Sequence, residues 1–108
     1  SLGDRDAERV LLPAAQDAGC AVLTNLPFGR NSMFAKVKGK PLPDFAKEID
    51  CTSFAQLFLK YILGHPAVTA VIPGTDLPQY MLDNLNAGRG RMPDAAMRRR
   101  IETWFESV

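Results

Sequence analysis

The sequence predicts an α/β fold with parallel strands, on the strength of two segments. The run Val71-Ile72-Pro73-Gly74-Thr75, followed after a short gap by Asp83-Asn84, reads as strand, tight turn and helix start. An earlier run, Ala21-Val22-Leu23-Thr24, also ends in a glycine-containing turn, Pro27-Phe28-Gly29-Arg30. Two strand-and-turn units in so short a chain predict part of a parallel sheet with crossover helices. The later turn also presents backbone N–H groups and a helix N-terminus, which suit an anion such as phosphate.

The elements follow from the N-terminus. From Ala7 the apolar residues Val10, Leu11, Ala14, Ala15 and Ala18 recur at helical spacing, and Gly19 stands where a left-handed C-terminal cap belongs. Pro13 interrupts that pattern, so either a short helix stops near Leu11 and another begins around Pro13, or one helix is kinked. Cys20 to Thr24 is short, apolar and bounded by turn formers, as a strand buried on both faces should be. Residues 25–43 hold Pro27, Gly29, Gly39, Pro41 and Pro43 with Lys36, Lys38 and Lys40, and read as a long loop. Asp44 to Ile49 suits one or two helical turns.

Ser53 with Gln56 forms a capping-box pattern that opens a helix from Phe54 to Leu63. Leu57, Phe58, Tyr61 and Ile62 line one of its faces, and Leu59 and Leu63 extend the apolar surface most of the way round. Such a helix needs cover on several sides. Gly64-His65-Pro66 ends it, Ala67 to Ile72 gives the second strand, and Pro78 to Ala87 a helix stopped by Gly88 and Gly90. A last helix from Pro93 buries Met97, Ile101, Trp104 and Phe105, while Arg98, Arg99 and Arg100 fall largely off that stripe. Two strands and about five helical pieces do not close a sheet. The sequence therefore predicts a single incomplete domain over residues 1–108, completed by a second copy or by a missing part.

Composition bounds the partners. With 108 residues, 46% hydrophobic and 23% charged, the chain matches one ordinary globular domain with a thin core. Thirteen basic residues nearly cancel twelve acidic ones, and the net charge of +1 gives no sustained field for nucleic acid or anionic lipid. No aromatic residues interleave with the lysines of residues 36–40, which argues against a nucleic-acid surface. No apolar stretch approaches the ~20 residues of a membrane span. Cys20 and Cys51 form no CxxC pair and have no histidine at ligand spacing, so they read as two reduced thiols of a cytoplasmic protein, with no metal site. Ser1-Leu2-Gly3-Asp4 reads as the middle of a protein rather than its beginning.

The order of these pieces resembles the C-terminal part of an aldo/keto reductase. The matching residues are Ala7-Glu8 with Leu11-Leu12-Pro13, Gly19-Cys20-Ala21-Val22-Leu23, Pro27-Phe28-Gly29-Arg30, the helix Phe54 to Leu63 ending in His65-Pro66, Val71-Ile72-Pro73-Gly74-Thr75 and Asp83-Asn84. The resemblance covers essentially the whole chain. It implies a partial (β/α)8 TIM barrel in which the two strands are the seventh and eighth and Ser1-Leu2 is the tail of the sixth. Barrel enzymes place phosphate groups on the loops after the last two strands.

Several roles follow from the resemblance alone. Leu26, Phe28, Gly29 and Arg30 match positions that wrap the pyrophosphate of NADP or NAD. Gly74 and Thr75, with Asp76 and Tyr80 nearby, match the turn that holds the adenosine ribose and its phosphate, and Asp83 and Asn84 match residues that hydrogen-bond adenine. The family's catalytic aspartate, tyrosine, lysine and histidine belong to earlier strands, so the chain carries no catalytic residue and is expected to be inactive alone. His65, at a helix end, reads as structural.

The departures from the family pattern are informative. Many members have lysine where this chain has Gly74 and arginine where it has Tyr80, and those cations clamp the 2′-phosphate of NADP. Asp76 instead puts a carboxylate in the same turn, which repels that phosphate. Asn25 stands near where many members offer a ring to stack on nicotinamide. The expectation is a weak dinucleotide site with diminished NADP preference. The alternative is a non-catalytic assembly module that self-associates through its unpaired sheet edges and its apolar helix.

Overall fold

In the computed structural model, which describes residues 1–108, a 3₁₀ turn (Asp6–Glu8) leads into α1 (Leu11–Asp17), β1 (Leu23–Thr24) and α2 (Ser32–Val37). A second 3₁₀ segment (Asp44–Ile49) precedes α3 (Phe54–Leu63), β2 (Ala70–Val71), α4 (Pro78–Asn86) and α5 (Ala95–Ser107). The two strands pair in parallel, with Leu23 opposite Ala70 and Thr24 opposite Val71. The chain is thus α/β with one small parallel sheet.

Pro13 is accommodated by the first of the two expected routes. The 3₁₀ turn ends at Glu8, and α1 starts afresh so that Pro13 is its third residue. There the missing amide costs nothing, because the first N–H groups of a helix have no intrahelical acceptor. Gly19, at φ +70°, closes α1 as expected: its N–H donates to the Gln16 carbonyl and that of Cys20 to Ala15, both in the left-handed cap pattern. The apolar residues at helical spacing do not form a buried stripe, however. Leu12 is the buried residue of α1, whereas Val10 and Leu11 remain 74% and 65% exposed.

Both strands are much shorter than expected, and β1 is not buried on both faces. Cys20 and Ala21 are exposed and Leu23 is 66% exposed. With one neighbouring strand and helices on one side, nothing covers the face that carries Leu23 and Ile72. Residues 25–43 differ in the other direction. They contain α2, whose Met33 and Val37 are buried and whose Phe34 packs against the core. The spacing Met33, Phe34, Val37 is helical, but the surrounding glycines, prolines and lysines obscure it.

Helix α3 is the axis of the molecule. Ser53 Oγ caps it by accepting from the Gln56 N–H at 3.1 Å, while Gln56 Oε1 accepts from the Thr52 N–H at 2.9 Å, one residue earlier than a capping box requires. Leu57, Phe58, Tyr61 and Ile62 are buried, and Leu59 is too, which gives the helix cover on several sides. Around it lie Met33 and Val37 of α2, Ala46 and Ile49 of the 3₁₀ segment, Met97, Ile101 and Phe105 of α5, and Val71 of β2. A chain of rings joins them: Phe28 to Phe34 at 4.8 Å, Phe34 to Phe58 at 5.6 Å, and Phe58 to Phe105 at 5.8 Å. Such aromatic pairs each add roughly 0.5–1.5 kcal/mol beyond burial.

Helix α4 begins with Pro78 at its first turn, and Asp94 caps α5 by accepting from the Met97 N–H at 2.8 Å. Arg98 does not point away from the α5 stripe into solvent. Its guanidinium lies 4.2 Å from the centre of the Tyr61 ring, and its Nε donates to the Tyr61 carbonyl at 3.0 Å. No helix is long and apolar enough to cross a membrane.

Candidate functional site

A cavity of about 460 Å³ opens where α2, the start of α3 and the start of α4 meet. Phe28, Gly74, Thr75, Tyr80, Asp83 and Asn84, six of the residues singled out from the sequence, line it together. They come from the two turns and from α4, in which Asp83 and Asn84 are the sixth and seventh of nine residues and not the expected helix start, so the fold does bring the separate segments to one place. Leu26, Gly29, Arg30 and Asp76 do not line it.

The wall is aromatic and amide rather than cationic. Phe28, Phe34, Phe54 and Tyr80 contribute rings, and no lysine or arginine is among the lining residues. Phe54 is itself held by Trp104, whose ring stacks on it at 5.9 Å and 12°. Asn31, Phe34, Ser53, Phe54 and Ala55 also line the cavity and were not legible as site residues. Phe34 sits in the segment read as a loop, and Ser53 was absorbed by its capping role. The helical spacing of Met33, Phe34 and Val37 was the one signal that pointed there.

Asn84 is the polar group best placed for a ligand. It is 9% exposed, lines the cavity, and its side-chain amide makes no hydrogen bond within the chain. No buried side-chain nitrogen or oxygen lacks a partner, so this amide is open to the cavity and not sealed in the core. Asp83 next to it is engaged instead: Ser53 Oγ donates to its Oδ2 at 2.7 Å and Gln56 Nε2 to its Oδ1 at 2.6 Å.

The turn at Val71 to Thr75 offers fewer donors than its sequence implies. The Leu77 N–H already donates to Thr75 Oγ1 at 3.2 Å, and Pro78 has no N–H to give. Gly74 does not have a left-handed φ, and a Cβ placed there meets nothing within 4 Å. The turn at Pro27 to Arg30 is more unusual. Gly29, Arg30 and Asn31 take φ values of +56°, +52° and +70° in succession, with Leu26 at +47° just before. Left-handed backbone is costly for residues other than glycine.

On the far side of α3 lies a polar cluster. Tyr61 Oη is 2.6 Å from Glu102 and 2.9 Å from Glu8, and Glu8 also pairs with Arg98. Burial, reinforced by the Glu102 contact, holds the Tyr61 phenol well above its ordinary range. His65 Nδ1 accepts from the Ala67 N–H at 3.1 Å, and burial lowers its pKa. That contact makes His65 a structural residue of the turn after α3. No group of histidine, cysteine and carboxylate side chains suits a metal ion.

The sequence profile of the aldo/keto reductase family matches residues 4–102, and the chain belongs to that family. No curated protein matches the sequence. Among solved structures, the fold is similar to that of the thermostable aldo-keto reductase Tm1743, crystallised with the inhibitor epalrestat. The TM-score is 0.70 at 21% identity over 94% of this chain. The chain spans 36% of the length of that enzyme.

Proposed function

We propose that this chain is the cofactor end of a (β/α)8 reductase barrel, a segment that holds the adenosine part of NAD or NADP and leaves carbonyl reduction to residues it does not contain. The observation that carries the reading is Asn84: a residue 9% exposed whose amide, unpartnered within the chain, opens into a cavity walled by aromatic rings. An amide offers a donor and an acceptor side by side, which suits the edge of a purine, and the rings suit its faces. Thr75 and Gly74 then lie at the ribose, and the turn from Leu26 to Arg30 at the pyrophosphate.

The fit is good for the nucleoside and poor for phosphate. With no cation in the lining and Asp76 in the adjoining turn, nothing compensates a 2′-phosphate. We therefore assign a weak site with little NADP preference. When bound to a whole reductase, a nicotinamide cofactor supplies hydride; this chain's residues bind and orient its distal end. The alkoxide formed by hydride transfer needs a general acid, which the resemblance places on earlier strands. An assay with NADH or NADPH and a panel of aldehydes is expected to show no turnover by this chain, and clear turnover would overturn the reading.

A second reading is favoured by a specific observation. Leu23 and Ile72 on the bare sheet face are 66% and 55% exposed, and Leu82 and Leu85 on α4 are each 60% exposed. The accessible surface of 6607 Å² exceeds the roughly 5,900 Å² typical of a compact monomer of this mass. Exposed apolar side chains together with this surplus of total surface suit a docking face, for a second copy or for the rest of a barrel. Light scattering over a concentration series tests the first occupant: a dimer supports the assembly reading, and a strict monomer removes self-association. The two free thiols, Cys20 and Cys51, suit a cytoplasmic setting.

A further inference from the structure

Helix α5 carries a second stripe beside the one it buries. Ala96, Arg99, Arg100, Thr103 and Ser107 recur at helical spacing, so they share a face. With Trp104, and with Phe45 of the second 3₁₀ segment, they line an open groove of about 570 Å³. The lining holds no lysine, aspartate or glutamate, and shares no residue with the cavity at Asn84.

The three consecutive arginines are used differently. Arg98 turns inward to Glu8 and Tyr61, with 13% of its side chain exposed. Arg100 lies 5.1 Å from the centre of the Phe45 ring and meets Glu48 at 3.0 Å, an exposed pair of the kind that contributes little. Arg99 is exposed and its guanidinium has no partner within the chain. Trp104, half-buried, is held against Phe54 at 5.9 Å and edge-on to Phe45 at 6.4 Å, so its indole is fixed before anything binds. A pre-ordered tryptophan beside arginine, with lysine and carboxylates absent, is the composition found at the energetic centre of protein interfaces.

We propose that this face of α5 docks an extended acidic segment of a protein partner, with carboxylates on Arg99 and Arg100 and an apolar side chain on Trp104. From Ala96 to Ser107 the helix rises about 16 Å, which an extended segment of about five residues matches. Guanidinium groups take carboxylates in bidentate pairs, and Glu48 yields Arg100 at little cost because their pair is exposed. The attraction is local to this face, since the chain as a whole carries a net charge of only +1. A nucleic-acid strand suits the groove less well, because it needs cations along its length and here both stand within one helical turn.

Trp104 is the only tryptophan of the chain, so its emission reports on the groove. The whole chain is titrated at low salt with a five-residue peptide blocked at both ends, four glutamates around a central leucine, and with the same peptide carrying lysines. The glutamate peptide is expected to give a saturable change that weakens as salt rises, and the lysine peptide none. Arg99→Gln and Arg100→Gln each weaken binding several-fold and together abolish it, whereas Glu48→Gln strengthens it by freeing Arg100. All three side chains are exposed, and a thermal melt verifies that the variants fold. No saturable change with the glutamate peptide, or undiminished binding by the double arginine variant, overturns the proposal. Tighter binding of a short oligothymidylate overturns it in favour of a single strand, and self-association lost in the arginine variants overturns it in favour of a second copy. None of these outcomes depends on the nucleoside reading.

Discussion

The ammonium of Lys60, wholly buried in the middle of α3, donates to the carbonyl of Arg89 at 2.6 Å. It also reaches the carbonyls of Ile49 at 2.7 Å and Arg91 at 3.0 Å, so one side chain ties the end of the 3₁₀ segment to the loop between α4 and α5. Three acceptors match the three ammonium donors, which is how a charge is tolerated at such depth. Lys60→Met removes all three bonds and leaves the buried Ile49 carbonyl and the part-buried carbonyls of Arg89 and Arg91 without this donor. The expected loss is about 3 kcal/mol in urea-induced unfolding, since a buried polar group left unpaired costs ~1–3 kcal/mol. A change below about 0.5 kcal/mol would show that the ammonium does not hold these loops.

Asp50, next to Ile49 in sequence, closes the same loop from outside. Its carboxylate receives Arg91 Nε and the Arg91 N–H at 3.0 and 2.9 Å, and the left-handed Gly90 between them has room for no side chain: a Cβ there would lie 2.8 Å from Asp50 Oδ2. Gly90→Ala is expected to destabilise the chain by ~1–3 kcal/mol through backbone strain and that clash. Thermal unfolding measures it, and an unchanged melt would mean that the loop shifts freely.

Cys51 gives the pH dependence a sign. Burial pushes its thiol up to about 11, against an ordinary value of 9.0. Between those two values the unfolded chain has lost the thiol proton and the folded chain has kept it. The unfolded state therefore binds fewer protons, and stability falls as pH rises, by at most ~1.4 kcal/mol per pH unit for this group. Below the ordinary thiol value the group contributes no slope. Cys51→Ala is expected to flatten the decline between pH 9 and 11 relative to wild type, as read from denaturant midpoints. Parallel wild-type and variant curves would contradict this.

Arg30 separates backbone strain from ligand contact. It is exposed, left-handed at φ +52°, and lies outside the cavity lining. Arg30→Gly is expected to stabilise the chain by about 0.5–1 kcal/mol, because glycine takes this conformation without steric cost. Adenosine affinity should not change, whereas NADH affinity should fall if the turn meets the pyrophosphate. Equal NADH affinity in variant and wild type would remove Arg30 from the binding surface.

Much of this was legible in the sequence, and the misses share a physical cause. Helix α3, its Ser53 cap and the Gly19 cap were readable because local chemistry decides them: a hydroxyl accepts an amide, and a glycine takes φ +70°. Strand lengths were not, because Leu23 and Ile72 have apolar patterns that only neighbouring strands could turn into long ladders. Helix α2 was hidden because Met33 and Val37 are buried by tertiary contact with α3, while the lysines around them favour neither state. In the site, Asp83 and Asn84 look alike as neighbouring polar residues. Only the positions of Ser53 and Gln56 on another helix distinguish a tied carboxylate from a free amide.

The proposed preference against a 2′-phosphate is open to repair at Gly74. A side chain there meets no atom within 4 Å and its φ is not left-handed, so Gly74→Lys is expected to leave stability within about 0.5 kcal/mol. It should raise affinity for adenosine 2′-phosphate several-fold at low salt, with the gain shrinking as salt rises. No gain at low salt would place the ligand's 2′ position away from this turn.

The most direct test of the account is a calorimetric titration of the chain with NADH and with NADPH under the same conditions. A cavity with an Asn84 amide, aromatic walls and no lining cation predicts weak binding of both, with NADH at least as tight as NADPH, and loss of both in Asn84→Ala. Saturable NADPH binding tenfold tighter than NADH, or binding unaffected by Asn84→Ala, would contradict it.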